Sequence, residues 1–301
     1  MKYATKIYSR IGELMQGFLP DASGFLISGL PSRLFFSEAI LTPGETTRAS
    51  FRPTGEASGM APGEPSGMAL LPPKTEQALA AFLQAHDAIP EGNRFSIRLN
   101  SNIPPGKGLS SSSTDILSVL HVVNDYCQTG CSTEDLYRIA AGIEPTDPCL
   151  SEDIVVFRQN AGSIDSSISL PPMDILYFDA EPGREIDTRE VQRTWTPGTG
   201  KFFDWLLNRF RLAAAAGDYD TLFDSITFSA EYNQTTIALP RFDEYLQLAR
   251  ETKSGLMVAH SGTIMGLLTR PEDTRELRAR LETATGATIY SEQYPSSLLN
   301  L

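Results

Sequence analysis

The residues best suited to chemistry lie in one glycine- and serine-rich segment, Asn102-Ile-Pro-Pro-Gly-Lys-Gly-Leu-Ser-Ser-Ser-Ser-Thr-Asp-Ile116. Gly106 and Gly108 allow the backbone to turn tightly and to approach a ligand closely. The serines from Ser110 to Ser113 fall at the predicted beginning of a helix, where backbone N–H groups have no partner inside the helix. The positive end of the helix dipole lies at the same point. The segment therefore predicts an anion site, and a nucleoside triphosphate is the obvious candidate.

Spacing separates this segment from two common phosphate-binding motifs. The GxxxxGK[ST] pattern is absent, and Ser111 stands where a GxGxxG fingerprint needs its third glycine. Lys107 can add a positive charge, and a serine hydroxyl can bind Mg²⁺, as Ser or Thr does in other phosphate loops. The structural alternative is a serine-capped helix after a glycine turn, with no ligand. The length and order of the segment favour the phosphate site.

A strand and a helix must hold this segment in place. Apolar and polar residues alternate over Arg94–Asn100, which predicts a strand, and the apolar face of Ser113–Tyr126 predicts a helix. Short β-like runs come earlier, over residues 3–8, 25–28, 33–41 and 46–51, and beyond Ser169 strands and helices begin again. The elements are mixed without strict βαβ alternation. This order predicts an α+β protein with two lobes, residues 1–170 and 171–301.

A Pro- and Gly-rich stretch interrupts the first lobe between Pro53 and Pro73. It contains two copies of a heptapeptide, Gly55-Glu-Ala-Ser-Gly-Met-Ala61 and Gly63-Glu-Pro-Ser-Gly-Met-Ala69. Two copies are too few for a solenoid, and the stretch lacks the apolar periodicity that would order it. We predict a mobile surface loop.

Composition excludes several classes of protein. The 301 residues include 25 Lys and Arg against 37 Asp and Glu, a formal net charge of −12, which disfavours binding to a nucleic-acid backbone. The three cysteines, Cys127, Cys131 and Cys149, form no CxxC pair, so neither a zinc site nor a disulfide framework is expected. No uncharged apolar run reaches the length of a membrane span, and the first residues lack a signal core. We expect a cytoplasmic protein that binds neither membrane nor nucleic acid.

Several stretches resemble motifs of known kinases. Residues 104–113 resemble the P-x-x-x-G-L-[GS]-S-S-[AST] phosphate loop of the GHMP kinases. The segments Gly12-Glu-Leu-Met-Gln-Gly17, Gly106–Ile116, Glu144-Pro-Thr-Asp147 and Val258-Ala-His-Ser-Gly-Thr263, the last followed by Gly266-Leu-Leu268, resemble motifs of one branch, the L-threonine kinases that serve cobalamin synthesis. The resemblance thus covers nearly the whole chain, with the motifs in the right order.

The resemblance implies a fold and a nucleotide site. The expected fold has an N-terminal lobe like ribosomal protein S5 and a ferredoxin-like C-terminal lobe, with the active site between them. The expected cofactors are ATP and Mg²⁺. Ser112 and Glu144 are the predicted metal ligands, and Asp147, Glu144 and Lys107 the predicted catalytic residues, with Asp147 as the base or an orienter of the acceptor hydroxyl. The predicted ATP-binding residues are Pro104, Pro105, Gly106, Lys107, Gly108, Leu109, Ser110, Ser111, Ser112 and Ser113.

The resemblance also implies an acceptor site. Its predicted residues are Gly12, Glu13, Gln16, His260, Ser261, Gly262 and Thr263. Glu13 could bind an ammonium group or form a surface salt bridge, and the turn of residues 260–263 could hold a carboxylate or phosphate or close an ordinary hairpin. Asp115 could complement the helix dipole or take part in catalysis, and Asn233 and Gln234 could approach the acceptor.

Three functions remain open at this stage. The first is an ATP-dependent kinase that converts L-threonine to O-phospho-L-threonine for cobalamin synthesis. The second is a homoserine kinase or another GHMP small-molecule kinase. The third is a catalytically silent nucleotide- or RNA-binding module. A hydroxy amino acid is the expected partner of the kinase, and a homodimer is left open.

Overall fold

The computed structural model describes residues 2–44, 48–53, 70–86, 94–187, 191 and 193–295. The heptapeptide repeat of residues 55–69 lies outside these ranges. The strands are β1 (Tyr3–Phe18), β2 (Gly24–Pro43), β3 (Arg48–Pro53), β4 (Phe95–Ser101), β5 (Ile154–Arg158), β6 (Ser163–Ile168), β7 (Met173–Asp179), β8 (Gly255–Val258), β9 (Ile264–Thr269) and β10 (Tyr290–Tyr294). The helices are α1 (Pro73–Ala85), α2 (Ser111–Cys127), α3 (Thr133–Ala141), α4 (Pro197–Ala216), α5 (Tyr219–Asn233), α6 (Phe242–Thr252) and α7 (Thr274–Ala284).

One sheet runs through the described part of the chain. Its strand order is β10-β7-β9-β8-β1-β2-β4-β3, and the β5–β6 hairpin pairs with β2. All pairs are antiparallel except β3 with β4. Helices and a largely antiparallel sheet confirm the predicted α+β class.

The long hairpin of β1 and β2 replaces the separate short strands that the sequence predicted. Residues 12–17 continue β1, and the partners of this segment in β2 are Phe25 to Ser28. The register shifts between Tyr8 and Arg10 and again between Glu13 and Met15. Such bulges break the alternation that identifies a strand in sequence, and they turn individual side chains toward a site.

The sheet joins the predicted lobes at the middle of β1. Glu13 pairs with Val258 of β8 there. One buried cluster contains Ile11 and Phe25 from the first lobe together with Met173 and Phe203 from the second. The division at residue 170 stays a prediction, and this apolar cluster crosses it.

Helix α2 carries the phosphate-loop segment and is fixed by its apolar residues. Ile116, Leu117, Leu120 and Val123 are buried in one cluster with residues of β4 and α1. Burial of each such side chain contributes roughly 1.5–3 kcal/mol. None of the helices within the described residues is long and apolar enough to cross a membrane.

Candidate active site

The predicted phosphate loop connects β4 to α2. Gly106 and Gly108 have φ values of +66° and +86°, which favour glycine, and Ser110 precedes the helix at φ +54°. The Ser110 side chain caps no backbone N–H group of the helix. A serine-capped helix is therefore not what the segment forms. The loop leaves the amino end of α2 facing a cleft.

Two other motif segments hold this loop. The N–H of Gly12 donates to the carbonyl of Gly108 at 3.1 Å, and the N–H groups of Thr263 and Ile264 donate to the carbonyl of Lys107 at 3.0 and 2.9 Å. A Cβ atom on Gly262 would lie 2.2 Å from the nitrogen of Gly108, so only glycine fits at this crossing. The segments at residues 12–17, 106–113 and 258–263 thus meet at one place.

The cleft has a volume of about 440 Å³. Most of its lining had been predicted from the sequence: Glu13, Pro105, Gly106, Gly108, Ser110, Ser111, Ser112, Ser113, Glu144, Asp147, His260 and Ser261. The rest had not: Lys74, Pro145, Gln159, Glu185, Ile186 and Asp187. Six predicted residues stay in the surrounding segments without lining the cleft: Gly12, Gln16, Pro104, Leu109, Gly262 and Thr263.

Lys107 also lies outside the cleft lining, although the sequence predicted a contact with phosphate. Its ammonium donates to the carbonyls of Pro182 and Arg184 at 2.8 and 2.7 Å, and lies 2.9 Å from the carboxylate of Asp179. With positive φ at Gly106 and Gly108 on either side, the side chain turns toward residues 179–184. The Lys107 ammonium therefore fixes that segment beside the phosphate loop.

Lys74 supplies a cation that sequence reasoning missed. It lies in the first turn of α1, where its ammonium forms an ion pair with Glu144 and lies 3.3 Å from Asp187. A single lysine after two prolines forms no motif, so only the packing of α1 against the site identifies it. The cleft thus keeps a positive charge near the serines of α2, at a different position from the predicted one.

Glu144 offers one oxygen to the cleft. Its Oε2 is paired with Lys74, whereas its buried Oε1 has no hydrogen-bond partner among the described residues. A hard, unpartnered carboxylate oxygen in a cleft that also contains the Ser112 hydroxyl fits Mg²⁺. No group of three or more His, Cys, Asp or Glu side chains in the described ranges could hold a metal ion. Such a site would need further ligands from the substrate.

Asp147 lines the cleft and is held there by hydrogen bonds with its neighbours. Its Oδ1 accepts from the Gln159 amide at 3.3 Å, and its backbone N–H donates to the Ser113 hydroxyl at 3.0 Å. Burial raises the pKa of Asp147, and hydrogen bonds from Ser110, Gln159 and Ser113 oppose that rise. The carboxyl group is thereby oriented while its basicity increases.

Glu13 lies opposite, where β1 meets the turn of residues 259–263. The backbone N–H of His260 donates to its carboxylate. Burial raises the pKa of Glu13 well above its ordinary value, and the charge of Asp147 raises it further. A cation placed between these two carboxyl groups would relieve both the burial and the repulsion.

Arg193 is a second residue that sequence reasoning did not single out. Its guanidinium donates to Gln16 Oε1 at 2.8 Å, to Asn233 Oδ1 at 2.7 Å and to His260 Nε2 at 2.8 Å. Burial lowers the pKa of Arg193 to about 10. Gln16 and Asn233 therefore act on the site through Arg193, whose guanidinium they hold in place. The side-chain oxygen of Gln234 accepts from the N–H of Leu239 instead, and Gln234 does not line the cleft.

Asp115 points away from the cleft. Because α2 begins at Ser111, two residues earlier than predicted, Asp115 lies in the second turn, beyond the reach of a helix-dipole interaction in the first. Its carboxylate accepts a hydrogen bond from the Ser37 hydroxyl inside the lobe. The structure supports a packing role at this position.

The chain is similar in sequence to known kinases. A protein-family profile described as the GHMP kinases N terminal domain matches residues 74–153. The L-threonine kinase of Salmonella typhimurium (strain LT2) is 26% identical over 213 residues, 68% of this chain and 71% of that protein. The L-threonine kinase of Citrobacter freundii is also 26% identical, over 188 residues, 57% of this chain and 61% of that protein.

A solved structure shares the fold. The homoserine kinase from Cytophaga hutchinsonii superposes with a TM-score of 0.65 at 14% sequence identity, covering 98% of this chain and 94% of that one. The profile match, the similarity to two L-threonine kinases and the common fold point to one family. The profile match over residues 74–153 and the similarity to two L-threonine kinases indicate an ATP-dependent kinase that acts on a hydroxyl group.

Proposed function

We propose that this kinase phosphorylates the side-chain hydroxyl of L-threonine and releases O-phospho-L-threonine and ADP. The observation that carries the proposal is the meeting of segments 12–17, 106–113, 144–147 and 258–263 around one cleft. These are the segments that resemble L-threonine kinase motifs, and two L-threonine kinases are similar in sequence. The same resemblance supports use of the product in cobalamin synthesis.

The phosphates of ATP would bind at the amino end of α2. The backbone N–H groups at Ser111 and Ser112 and the positive end of the helix dipole favour negative charge there. Gly106 and Gly108 allow close approach of the chain, and Lys74 contributes an ammonium group to the cleft lining. Lys107 acts indirectly, through the segment of residues 179–184 that it holds in place.

Ser112 and Glu144 would hold Mg²⁺ together with phosphate oxygens, since magnesium sites in kinases combine few protein ligands with substrate. When bound, the ion would neutralise charge on the phosphates. The free Oε1 of Glu144 is the protein atom that supports this assignment.

Asp147 would accept the proton of the threonine hydroxyl. The hydroxyl oxygen forms a bond to the γ-phosphorus while the bond from that phosphorus to the bridging oxygen of ADP breaks. A base works best when its pKa approaches the working pH, and burial moves the pKa of Asp147 in that direction. Ser113 and Gln159 fix the direction of the carboxyl group.

The acceptor would lie between Glu13 and the turn of residues 260–263. Glu13 is suited to the ammonium group because a bound cation offsets the cost of its buried negative charge. The turn offers donors for the carboxylate, which is bonded to the same carbon atom as the ammonium group. Together these contacts would present the β-hydroxyl of threonine to Asp147.

A coupled ADP-release assay over L-threonine, D-threonine, L-serine and L-homoserine tests the proposal, with ³¹P NMR to identify the product. We expect the highest kcat/KM on L-threonine. The Asp147→Asn variant, matched in size, measures the background. Turnover of L-homoserine with none of L-threonine would reject the acceptor, and tight ATP binding without phosphoryl transfer to any of the four would favour a silent binding module.

A further inference from the structure

The contact between Arg193 and His260 determines which nitrogen of the imidazole carries a proton. A guanidinium has only donors, so Nε2 of His260, 2.8 Å from the Arg193 NH1 group, must accept. A neutral imidazole that accepts at Nε2 carries its proton at Nδ1. The Arg193 contact therefore selects the Nδ1–H tautomer.

Neighbouring groups hold both partners in this arrangement. The other terminal nitrogen of Arg193 donates to Gln16, to Asn233 and to the backbone carbonyl of His260. The Asn233 amide donates to the carbonyl of Ala259 at 3.1 Å, and the N–H of His260 donates to Glu13. The guanidinium and the backbone of the turn are thus both fixed, and the ring has little freedom to flip.

The protonated Nδ1 atom has no partner. It is buried, and none of the described residues accepts a hydrogen bond from it. His260 nonetheless lines the cleft, beside Ser261 and Glu13. A buried donor without an acceptor carries an uncompensated desolvation cost, so a ligand oxygen that accepts from it strengthens binding of that ligand.

We propose that Arg193 is a positioning residue that fixes His260 as the Nδ1–H tautomer, and that this N–H donates to an anionic oxygen of the bound substrates. The inference rests on the proposed function for the identity of the acceptor. The anionic oxygen belongs either to the carboxylate of the amino acid or to the phosphoryl group that is transferred. The two sources share one chemistry, and the kinetic experiment below separates them.

NMR of the ligand-free protein with ¹⁵N-labelled histidine tests the tautomer directly. The chain has three histidines, so the spectrum is simple. His121 is an internal reference, because its Nδ1 lies 3.4 Å from Asp125 and 3.1 Å from Thr5. We expect His260 to show a protonated Nδ1 and an unprotonated Nε2. Arg193→Lys, which keeps the charge but loses the planar fork, should weaken that preference.

Observation of His260 as the Nε2–H tautomer, or as imidazolium, in the native protein at neutral pH would overturn the proposal. This measurement uses no substrate, so it stands even if L-threonine proves not to be the acceptor. It also needs no variant to fold.

Kinetics of two His260 variants test the donor. An asparagine amide can place an N–H near the position of Nδ1, whereas a glutamine amide reaches toward the position of Nε2. We expect His260→Asn to retain most activity and His260→Gln to lose roughly tenfold to a hundredfold in kcat/KM, as for a hydrogen bond to a charged group. Equal activity of the two variants and the native enzyme would overturn the donor role.

L-threoninol, which has the hydroxyl and ammonium groups of threonine but no carboxylate, identifies the oxygen. If His260 binds the carboxylate, His260→Gln raises KM for L-threonine and leaves kcat/KM for L-threoninol unchanged. If His260 binds the phosphoryl group, both acceptors lose kcat equally. Each result supports a donor at His260 and assigns its partner.

Discussion

Replacement of Asp115 by Asn should stabilise the protein at neutral pH. The side chain is buried inside the lobe, it accepts hydrogen bonds from Ser37 and Ser101, and no cation lies among the contacts that affect its titration. Burial raises its pKa from 3.8 to about 6. Such a buried carboxyl group lowers the free energy of unfolding at any pH at which it is ionised.

The size of the effect follows from the shift. At about 1.4 kcal/mol per pH unit, the difference between 3.8 and about 6 corresponds to about 3 kcal/mol. Since the folded-state pKa is raised, the contribution of Asp115 to stability is fully present below about pH 4 and is lost as the pH rises through about 6. Asparagine has nearly the same shape as aspartate and no charge. The hydroxyl groups of Ser37 and Ser101 can donate to its oxygen or accept from its amide group.

Urea unfolding of both proteins at pH 7.5 and pH 4 measures the difference. We expect Asp115→Asn to raise the free energy of unfolding by up to about 3 kcal/mol at pH 7.5 and to leave it nearly unchanged at pH 4. Asp135→Asn is the matched control, because this exposed carboxylate forms a capping box with Ser132 and has a lowered pKa. The control should lose stability at neutral pH. A loss of stability in Asp115→Asn at pH 7.5, or a gain that does not depend on pH, would refute the reasoning.

Three further predictions concern the cleft. Asp147→Asn and Ser112→Ala should each lower kcat on the order of 10²-fold, and native-like rates in the variants would exclude these roles. Because burial raises the pKa of Asp147, kcat/KM of the native enzyme should increase with pH through a point above the ordinary aspartate range. Lys74→Met should raise KM for ATP at least about tenfold, which steady-state kinetics at saturating acceptor would measure, and an unchanged KM would move the cationic role elsewhere. Lys107→Met should instead lower the free energy of unfolding by roughly 1–3 kcal/mol in urea titrations, because the Asp179 carboxylate and three backbone carbonyls lose the ammonium group as a partner. A stable variant with poor ATP binding would return Lys107 to the phosphates.

Local patterns in the sequence were sufficient for the helices and for the phosphate loop. Apolar residues at helical spacing predicted α2, whose observed ends, Ser111 and Cys127, differ from the predicted ends, Ser113 and Tyr126, by only one or two residues. The glycines at 106 and 108 predicted a turn before α2 because positive φ is a property of the residue type. The charge of −12 and the mixed order of elements likewise indicated the class without any knowledge of contacts.

The lengths of the strands depend on pairing between strands and could not be predicted from local patterns. β1 and β2 are long because they pair with each other over most of their length, while β2 also pairs with the distant strands β4 and β5 and β1 pairs with β8 at Glu13. The bulges of β1 hide its alternation. A strand whose side chains are buried on both faces gives no period-two signal. The sequence therefore predicted pieces of these strands, over residues 3–8, 25–28 and 33–41, and not the continuous strands that the structure contains.

The sequence by itself determined which segments could bind phosphate, because backbone conformation and helix ends depend on neighbouring residues. Tertiary structure alone decided which charged side chains face the cleft. Lys107 turns to Asp179, Lys74 arrives from α1, and Arg193 supports His260 from a segment without a motif. The direction of a long side chain depends on which distant carbonyls and carboxylates lie within its reach, and the order of residues does not contain those distances until the chain has folded.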